Sequence, residues 1–222
     1  MTYLSQLLLN PQRRASRKLF ASAQAMHAAV LSCFAPDVDP GRVLWRLDSQ
    51  HPSHRLYVLS GAEPDFSHLQ ESAGWASSPG QSASMERLLA SLDQQQLWAF
   101  RLAANPVRHL PLGPAGRRGK LVPHVTVEQQ KQWLIHKGPQ WGFEVLSQEQ
   151  EQYQLLVSKR EDLTFSRKNP LQPTGSDRVT LRRVQFDGVL RIQDADLLRQ
   201  SLQAGLGRAK SYGCGLLTLR SL

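Results

Sequence analysis

"RVLWRLDSQHPSHRLYVLSG", Arg42 to Gly61, holds the pair of runs on which the fold turns. Arg42–Asp48 alternates apolar and polar residues as a half-buried strand does, and Arg55–Gly61 follows after a short polar turn, so the pair is predicted as a β-hairpin. His51 and His54 fall in that turn and read as a solvated loop rather than as metal ligands. Upstream, Tyr3–Leu9 ("YLSQLLL") is a predicted buried strand ended by Asn10-Pro11. A basic segment follows, then a predicted helix with Ser22 as N-cap and Met26, Val30 and Phe34 at helical spacing, stopped by Pro36 and Pro40. Downstream, Gly74–Ser84 reads as loop, "MERLLASLDQQ" as helix and Leu97–Ala103 as strand. The predicted order is strand, helix, strand, strand, helix, strand.

The second half repeats it. After a stretch rich in proline, glycine and positive charge from Val107, "TVEQQKQWLIHKG" predicts a helix capped by Thr126 and ended by Gly138-Pro139. Strands follow at "GFEVLS", "YQLLVSK" and "VTLRRVQFDGVLRI", interrupted by a basic irregular stretch, then a helix opening at Asp194 and a last strand, "GLLTL". Two β-α-β-β-α-β units in series predict an α+β chain of two tandem ferredoxin-like domains, residues 1–105 and 106–222. Each sheet is expected to carry helices on one face and leave the other free for a ligand. Many functions use this topology, so the chemistry has to come from particular residues.

Composition narrows the class. No apolar run in the 222 residues is long enough to span a membrane, and "MTYLSQLLLNPQRR" has no secretory pattern, which predicts a cytoplasmic protein. The 2 cysteines, Cys33 and Cys214, exclude a disulfide scaffold and a four-cysteine zinc site, and read as reduced thiols. Lysine and arginine outnumber aspartate and glutamate 27 to 18, for a net charge of +9. Arginine dominates, and its planar fork of donors matches phosphate oxygens. Nucleic acid is the expected partner, ahead of any membrane.

"GLGRAKSYGCGLLTL", from Gly205, puts glycine and positive charge between the last helix and the last strand. Glycine permits positive φ and close approach of backbone N–H groups to another chain. The spacing is neither a P-loop nor a dinucleotide fingerprint, whose third glycine would fall at Lys210. Locally, a helix cap at Gly205 followed by a turn explains it equally well. The stretch nevertheless closely resembles the C-terminal glycine-rich loop and last strand of the CasE endoribonucleases, the crRNA-processing subunits of type I-E CRISPR Cascade complexes. "YLSQLLLNP", "MH" on the first long helix, "RVLWRLD", "FRLAANPV" and "VQFDGVLRIQD" agree with that family in the same order, from residue 3 to 219.

The resemblance implies tandem ferredoxin-like domains of the RAMP and RRM-like kind. It also implies cofactor-free, metal-independent cleavage of precursor CRISPR RNA at the base of a repeat hairpin, with the product retained as part of Cascade. Such cleavage uses the neighbouring 2′-hydroxyl as nucleophile and needs a base, an acid and donors for charge building on phosphorus. Histidine suits the proton transfers, and His27 matches the family's catalytic histidine. The family carries a tyrosine three residues before it, where this chain has Gln24. An amide can hold a phosphate but cannot exchange a proton as acid or base, so the acid and base assignments stay open. A non-catalytic structural subunit of the same complex is the alternative reading, and a general basic RNA-binding protein a further one.

Expected RNA contacts form several groups. Arg13, Arg14, Arg17 and Lys18 precede the helix of His27. Arg117, Arg118 and Lys120 lie in the linker, and Arg160, Arg167, Lys168 and Arg178 flank the basic irregular stretch, which by resemblance runs along the groove of the RNA stem. In the glycine-rich loop, the resemblance implies Gly205, Gly207, Arg208, Lys210, Gly213 and Gly215, with Tyr212 filling the seam between domains and Cys214 as small core filling.

Overall fold

The computed structural model describes residues 1–50, 53–110, 121–148, 152–169 and 172–222, with backbone alone for Gln50, 165–169 and 172–179. The first unit runs β1 (Tyr3–Leu9), α1 (Arg14–Ala21), α2 (Ala23–Leu31), β2 (Leu44–Gln50), β3 (Ser53–Ser60), α3 (Ser67–Ala73) and β4 (Gln81–Ser84). Its antiparallel sheet has the order β2-β3-β1-β4. The predicted hairpin forms in the register Leu44↔Leu59 to Gln50↔Ser53. Leu7, Leu9, Leu56 and Val58 point to one face and pack with Met26 and Val30 of α2 and Leu69 and Ala73 of α3.

After α4 (Glu86–Ser91), the second unit runs β5 (Leu97–Ala104), the short pair β6 (Val107–His109) and β7 (Leu121–Pro123), and α5 (Val127–Lys137). Then come β8 (Phe143–Val145), β9 (Ser147–Gln148), β10 (Gln152–Tyr153), the long hairpin β11 (Leu155–Asn169) and β12 (Gln172–Ile192), α6 (Ala195–Ala204) and β13 (Leu217–Ser221). Its main sheet has the order β11-β12-β5-β13, with β8 added beside β12. Taking β5, β11, β12 and β13 as its strands, the second unit has the same β-α-β-β-α-β path as the first. The tandem ferredoxin-like architecture is borne out.

The strands are distributed differently from the expectation. Leu97–Ala104 does not close the first sheet. It pairs with β12 on one side and β13 on the other, so it opens the second unit, and the expected break after residue 105 falls behind a strand of that unit. The fourth strand of the first sheet is Gln81–Ser84, within the stretch expected to be loop, and it pairs with β1. "QSAS" has no large apolar residue and lies mostly exposed at a sheet edge, so no hydrophobic period marks it. The basic segment before α2 is also helical, as α1.

Helices cover one face of each sheet, and the bare faces turn partly toward each other. Leu44 and Leu59 from the first sheet meet Met85 and Leu216. Beside them Arg46, 3% exposed, binds Asp48 through Nε at 2.7 Å and Nη2 at 3.1 Å, and reaches the carbonyls of Arg101 and Leu216 at 3.0 Å and the Thr218 hydroxyl at 2.9 Å. Arg101 continues the chain to Asp48 and Asp187. A row of paired charges therefore bolts the units together. Cys33 and Cys214 are buried and unbridged, and burial pushes their thiols up to about 11 and about 12. Among the described residues, no helix is long and apolar enough to cross a membrane.

Candidate active site

Helix α2 starts where sequence chemistry places it. The Ser22 hydroxyl accepts from the Ala25 N–H at 3.2 Å, satisfying a donor the helix itself leaves free. Met26 and Val30 anchor the helix to the core, which leaves Gln24 exposed one turn before the half-buried His27. The Nδ1 of His27 is buried with no hydrogen-bond partner among the described residues. Burial also lowers the imidazole's pKa below the usual histidine value, so the ring is mostly neutral at neutral pH, able to take a proton.

The glycine-rich loop comes to this helix. Helix α6 begins on the Asp194 carboxylate, which accepts from Leu197 N–H at 2.9 Å, and ends at Gly205 with φ +76°. The loop then closes on itself through Leu206 N–H to Gly215 O at 2.9 Å and is tied to β5 through Gly215 N–H to Ala103 O at 2.7 Å. Its turn Lys210–Tyr212 packs on both β2 and α2. Gly213 allows this approach: with φ +76°, a Cβ there would lie 2.7 Å from the Trp45 ring and 2.8 Å from Arg183 Nη1. Gly213→Ala combines left-handed strain with overlap against a buried ring, an expected loss of roughly 2–4 kcal/mol. A lowered melting temperature is the expected outcome; an unchanged melting curve would show that the loop can shift freely.

Charge gathers at the same seam. Burial, with the nearby charge of Arg42, lowers the Lys210 pKa. Two cations and a neutral imidazole on adjoining elements form a setting for a phosphate and a proton transfer.

A family model described as "CRISPR associated protein" matches residues 2–221, nearly the whole chain. This chain belongs to the CRISPR associated protein family. It is similar to the CRISPR-associated endoribonuclease Cse3 of Thermus thermophilus, with 28% identity over 98% of this chain and 99% of that protein. A structure of Thermus thermophilus Cse3 bound to an RNA representing a pre-cleavage complex matches with a TM-score of 0.78 at 26% identity, covering 99% of this chain and 98% of that one. A 42-residue stretch is 52% identical to the Cascade subunit CasE of Escherichia coli, 19% of this chain and 21% of that protein. The resemblance to the CasE endoribonucleases is borne out.

In this CRISPR-associated protein, the residues expected to touch RNA fall into distinct places. His27 and Gln24 lie on α2, the helix that packs against the Lys210–Tyr212 turn of the loop that also carries Arg208. Arg14, Arg17 and Lys18 are exposed on α1 and make no ion pair among the described residues. Arg13 is different: its guanidinium donates to the Glu71 carbonyl and fastens α1 to α3. Gly207 faces Trp133 at ordinary contact distance, so space alone does not require a glycine there. Arg160 is exposed on β11 opposite Val184, on the helix-bearing side of the sheet. Arg167, Lys168 and Arg178 lie toward the far end of the β11–β12 hairpin, where Arg178 pairs with Ser166 and Arg167 with Asp177. Arg117, Arg118 and Lys120 lie outside the described residues.

Three cations escaped the sequence reading: Arg42, Lys159 and Arg183. The latter two share Glu161, at 2.6 Å each, and Arg183 also donates to the Tyr212 carbonyl at 3.2 Å. Burial of Glu161 favours its neutral form, but the bonds from Lys159 and Arg183 outweigh it and hold the carboxyl below its usual range. Alternation in "TLRRVQF" separates Arg182 from Arg183, yet only the packed sheet shows which faces the loop. His54 stacks on Phe20 with ring centroids 4.5 Å apart, and its Nδ1 lies 3.0 Å from the Ser49 hydroxyl. Among the described residues, no group of three or more histidine, cysteine or acidic side chains is placed to hold a metal ion.

Proposed function

We propose that this protein is a CasE-type endoribonuclease that grips the hairpin of a CRISPR repeat, cuts precursor crRNA at the hairpin base and keeps the product as a Cascade subunit in the cytoplasm. Two ferredoxin-like units, divided between Ser91 and Leu97, provide the frame. The observation that carries this reading is the packing of α2, with His27, against the Lys210–Tyr212 turn of the glycine-rich loop.

The chemistry follows from those groups. The 2′-oxygen bonds to the adjacent phosphorus as its proton passes to a base. The bond to the 5′-oxygen breaks, and that oxygen takes up a proton, leaving a 2′,3′-cyclic phosphate on one product. Neutral His27 is suited to the first proton transfer. Lys210, Arg42 and loop N–H groups are suited to the charge that builds on the phosphoryl oxygens, which is where donors lower the barrier most. Gln24, exposed on the same face, is placed to hold a phosphate oxygen or orient the hydroxyl.

The test is a single-turnover reaction with repeat-hairpin RNA in excess chelator, beside a scrambled stem of the same composition. One cut, a cyclic-phosphate end and preference for the native stem are expected. Equal affinity for both stems would reduce the protein to a general RNA binder. Tight, selective binding without a cut would make it a structural subunit, the reading that Gln24 favours.

A further inference from the structure

A polar cleft lies on the bare face of the first sheet, opposite the face covered by α2, the helix of His27. Its volume is about 260 Å³, below the ~300–1,000 Å³ of pockets for drug-sized ligands. Gln6, Leu8 and Arg55 form the floor, and Ser77, Ser78 and Gln81 stand around it. The floor residues belong to β1 and β3, where Gln6 faces Tyr57 and Leu8 faces Arg55 in register. Their neighbours Leu7 and Leu56 point the other way, into the core.

Its polar groups are held in order before any ligand arrives. Arg55 Nη1 donates to Gln6 Oε1 at 3.0 Å, and Gln6 Nε2 donates to Gln81 Oε1 at 2.7 Å. The wall is pinned by Ser78 N–H to Trp75 O at 3.1 Å and by Gly80 N–H to Gln70 Oε1 at 3.2 Å. Among the described residues, Arg55 also lacks a counter-ion. The carboxylate opposite it in the hairpin is Asp48. Arg46 takes both Asp48 oxygens, and Arg101 shares one of them. No other ion pair to Arg55 occurs among the described residues. An arginine fork with no anion among the described residues, set beside amides, hydroxyls and the apolar surfaces of Leu8 and Pro79, suits one nucleotide: phosphate on the guanidinium, base against the apolar patch.

We propose that this cleft binds an unpaired nucleotide of the RNA flanking the repeat hairpin, adding affinity for an extended precursor without taking part in cleavage. The inference rests on the RNA-processing reading above. Equilibrium binding is measured for the minimal hairpin and for hairpins extended by unpaired nucleotides on the 5′ or the 3′ side. The proteins compared are the full-length chain, Arg55→Ala, and Ser77→Trp, which fills the cleft from an exposed loop position. For the unsubstituted protein, one extension is expected to tighten binding roughly tenfold, the scale of one charge-assisted phosphate contact. Both variants are expected to lose that gain while binding and cutting the minimal hairpin as before. If neither extension tightens binding, or if both variants keep the gain, the inference is overturned. If Arg55→Ala weakens the minimal hairpin equally, while its melting curve is unchanged, the cleft belongs to stem recognition and the inference is again overturned. A minimal hairpin bound no better than a scrambled stem would instead bring down the RNA-processing reading itself, and this inference with it.

Discussion

His27→Ala is expected to lower the single-turnover cleavage rate of repeat RNA by about 10²–10⁴-fold while leaving its dissociation constant within roughly threefold. The separation follows from position. The ring is half-buried and Nδ1 has no partner among the described residues, so removing it breaks no hydrogen bond described there. Phosphate contacts spread over α1, the glycine-rich loop and the long hairpin would still hold the RNA. The pH profile supplies a second readout. Because burial lowers the imidazole pKa, the neutral base is the main form at neutral pH. Cleavage should therefore be insensitive to alkali just above neutrality and fall only as pH drops below about 6.5, the unperturbed histidine value. In His27→Ala that acid limb should vanish with the activity. A variant that cuts at the wild-type rate would remove His27 from the mechanism and turn attention to Lys210 and Arg42.

Arg46→Ala is expected to cost about 3–5 kcal/mol of stability, the scale for breaking a buried ion pair from one side. For a chain of this size each kcal/mol shifts the melting temperature by about 2–4 °C, so a fall of roughly 6–20 °C should be visible in a thermal scan. The guanidinium satisfies the carbonyls of Arg101 and Leu216, the hydroxyl of Thr218 and the Asp48 carboxylate, and its carbon sits 5.3 Å above the Tyr57 ring. Alanine would take a donor from each of these acceptors, leaving Asp48, among the described residues, only its bond from Arg101. Because Arg101 lies on β5, Thr218 on β13 and Leu216 just before β13, while Arg46 and Asp48 belong to β2, the damage falls on the joint between the units. Loss of RNA cleavage should accompany the loss of stability, since the loop bearing Lys210 rests on β2. A stability change under about 1 kcal/mol would show that water replaces the guanidinium and that the joint is held mainly by Leu44, Leu59, Met85 and Leu216.

Helix starts and the order of elements were legible because their chemistry is local. Ser22, Thr126 and Asp194 each accept from a backbone N–H three residues on, and the Thr126 cap is completed by the Gln129 side chain returning to the backbone. Alternation in Arg42–Asp48 and Arg55–Gly61 marked the hairpin, and the glycine-rich loop carried the resemblance to the CasE endoribonucleases. Short helix α3 and edge strand β4 escaped because their stability comes from neighbours rather than from a pattern of their own. Skipping them shifted the reading by one helix and one strand, and β5 was counted with the wrong half.

By itself, the sequence determined two repeats of one topology and a basic chain suited to RNA, and its resemblance to the CasE endoribonucleases supplied the expectation that a helical histidine works beside a glycine-rich cationic loop. Only the tertiary structure decided which sheet receives Leu97–Ala104, that Arg13 serves the fold, and that Arg42, Lys159 and Arg183 border the loop. It alone showed that Arg46 bolts two sheets together while Arg55, on the next strand, has no anion among the described residues. The physical reason is common to all of these. Hydrogen bonds between strands and the partners of a charge depend on groups far apart in the chain, and a local pattern of residue types carries no record of which distant group arrives.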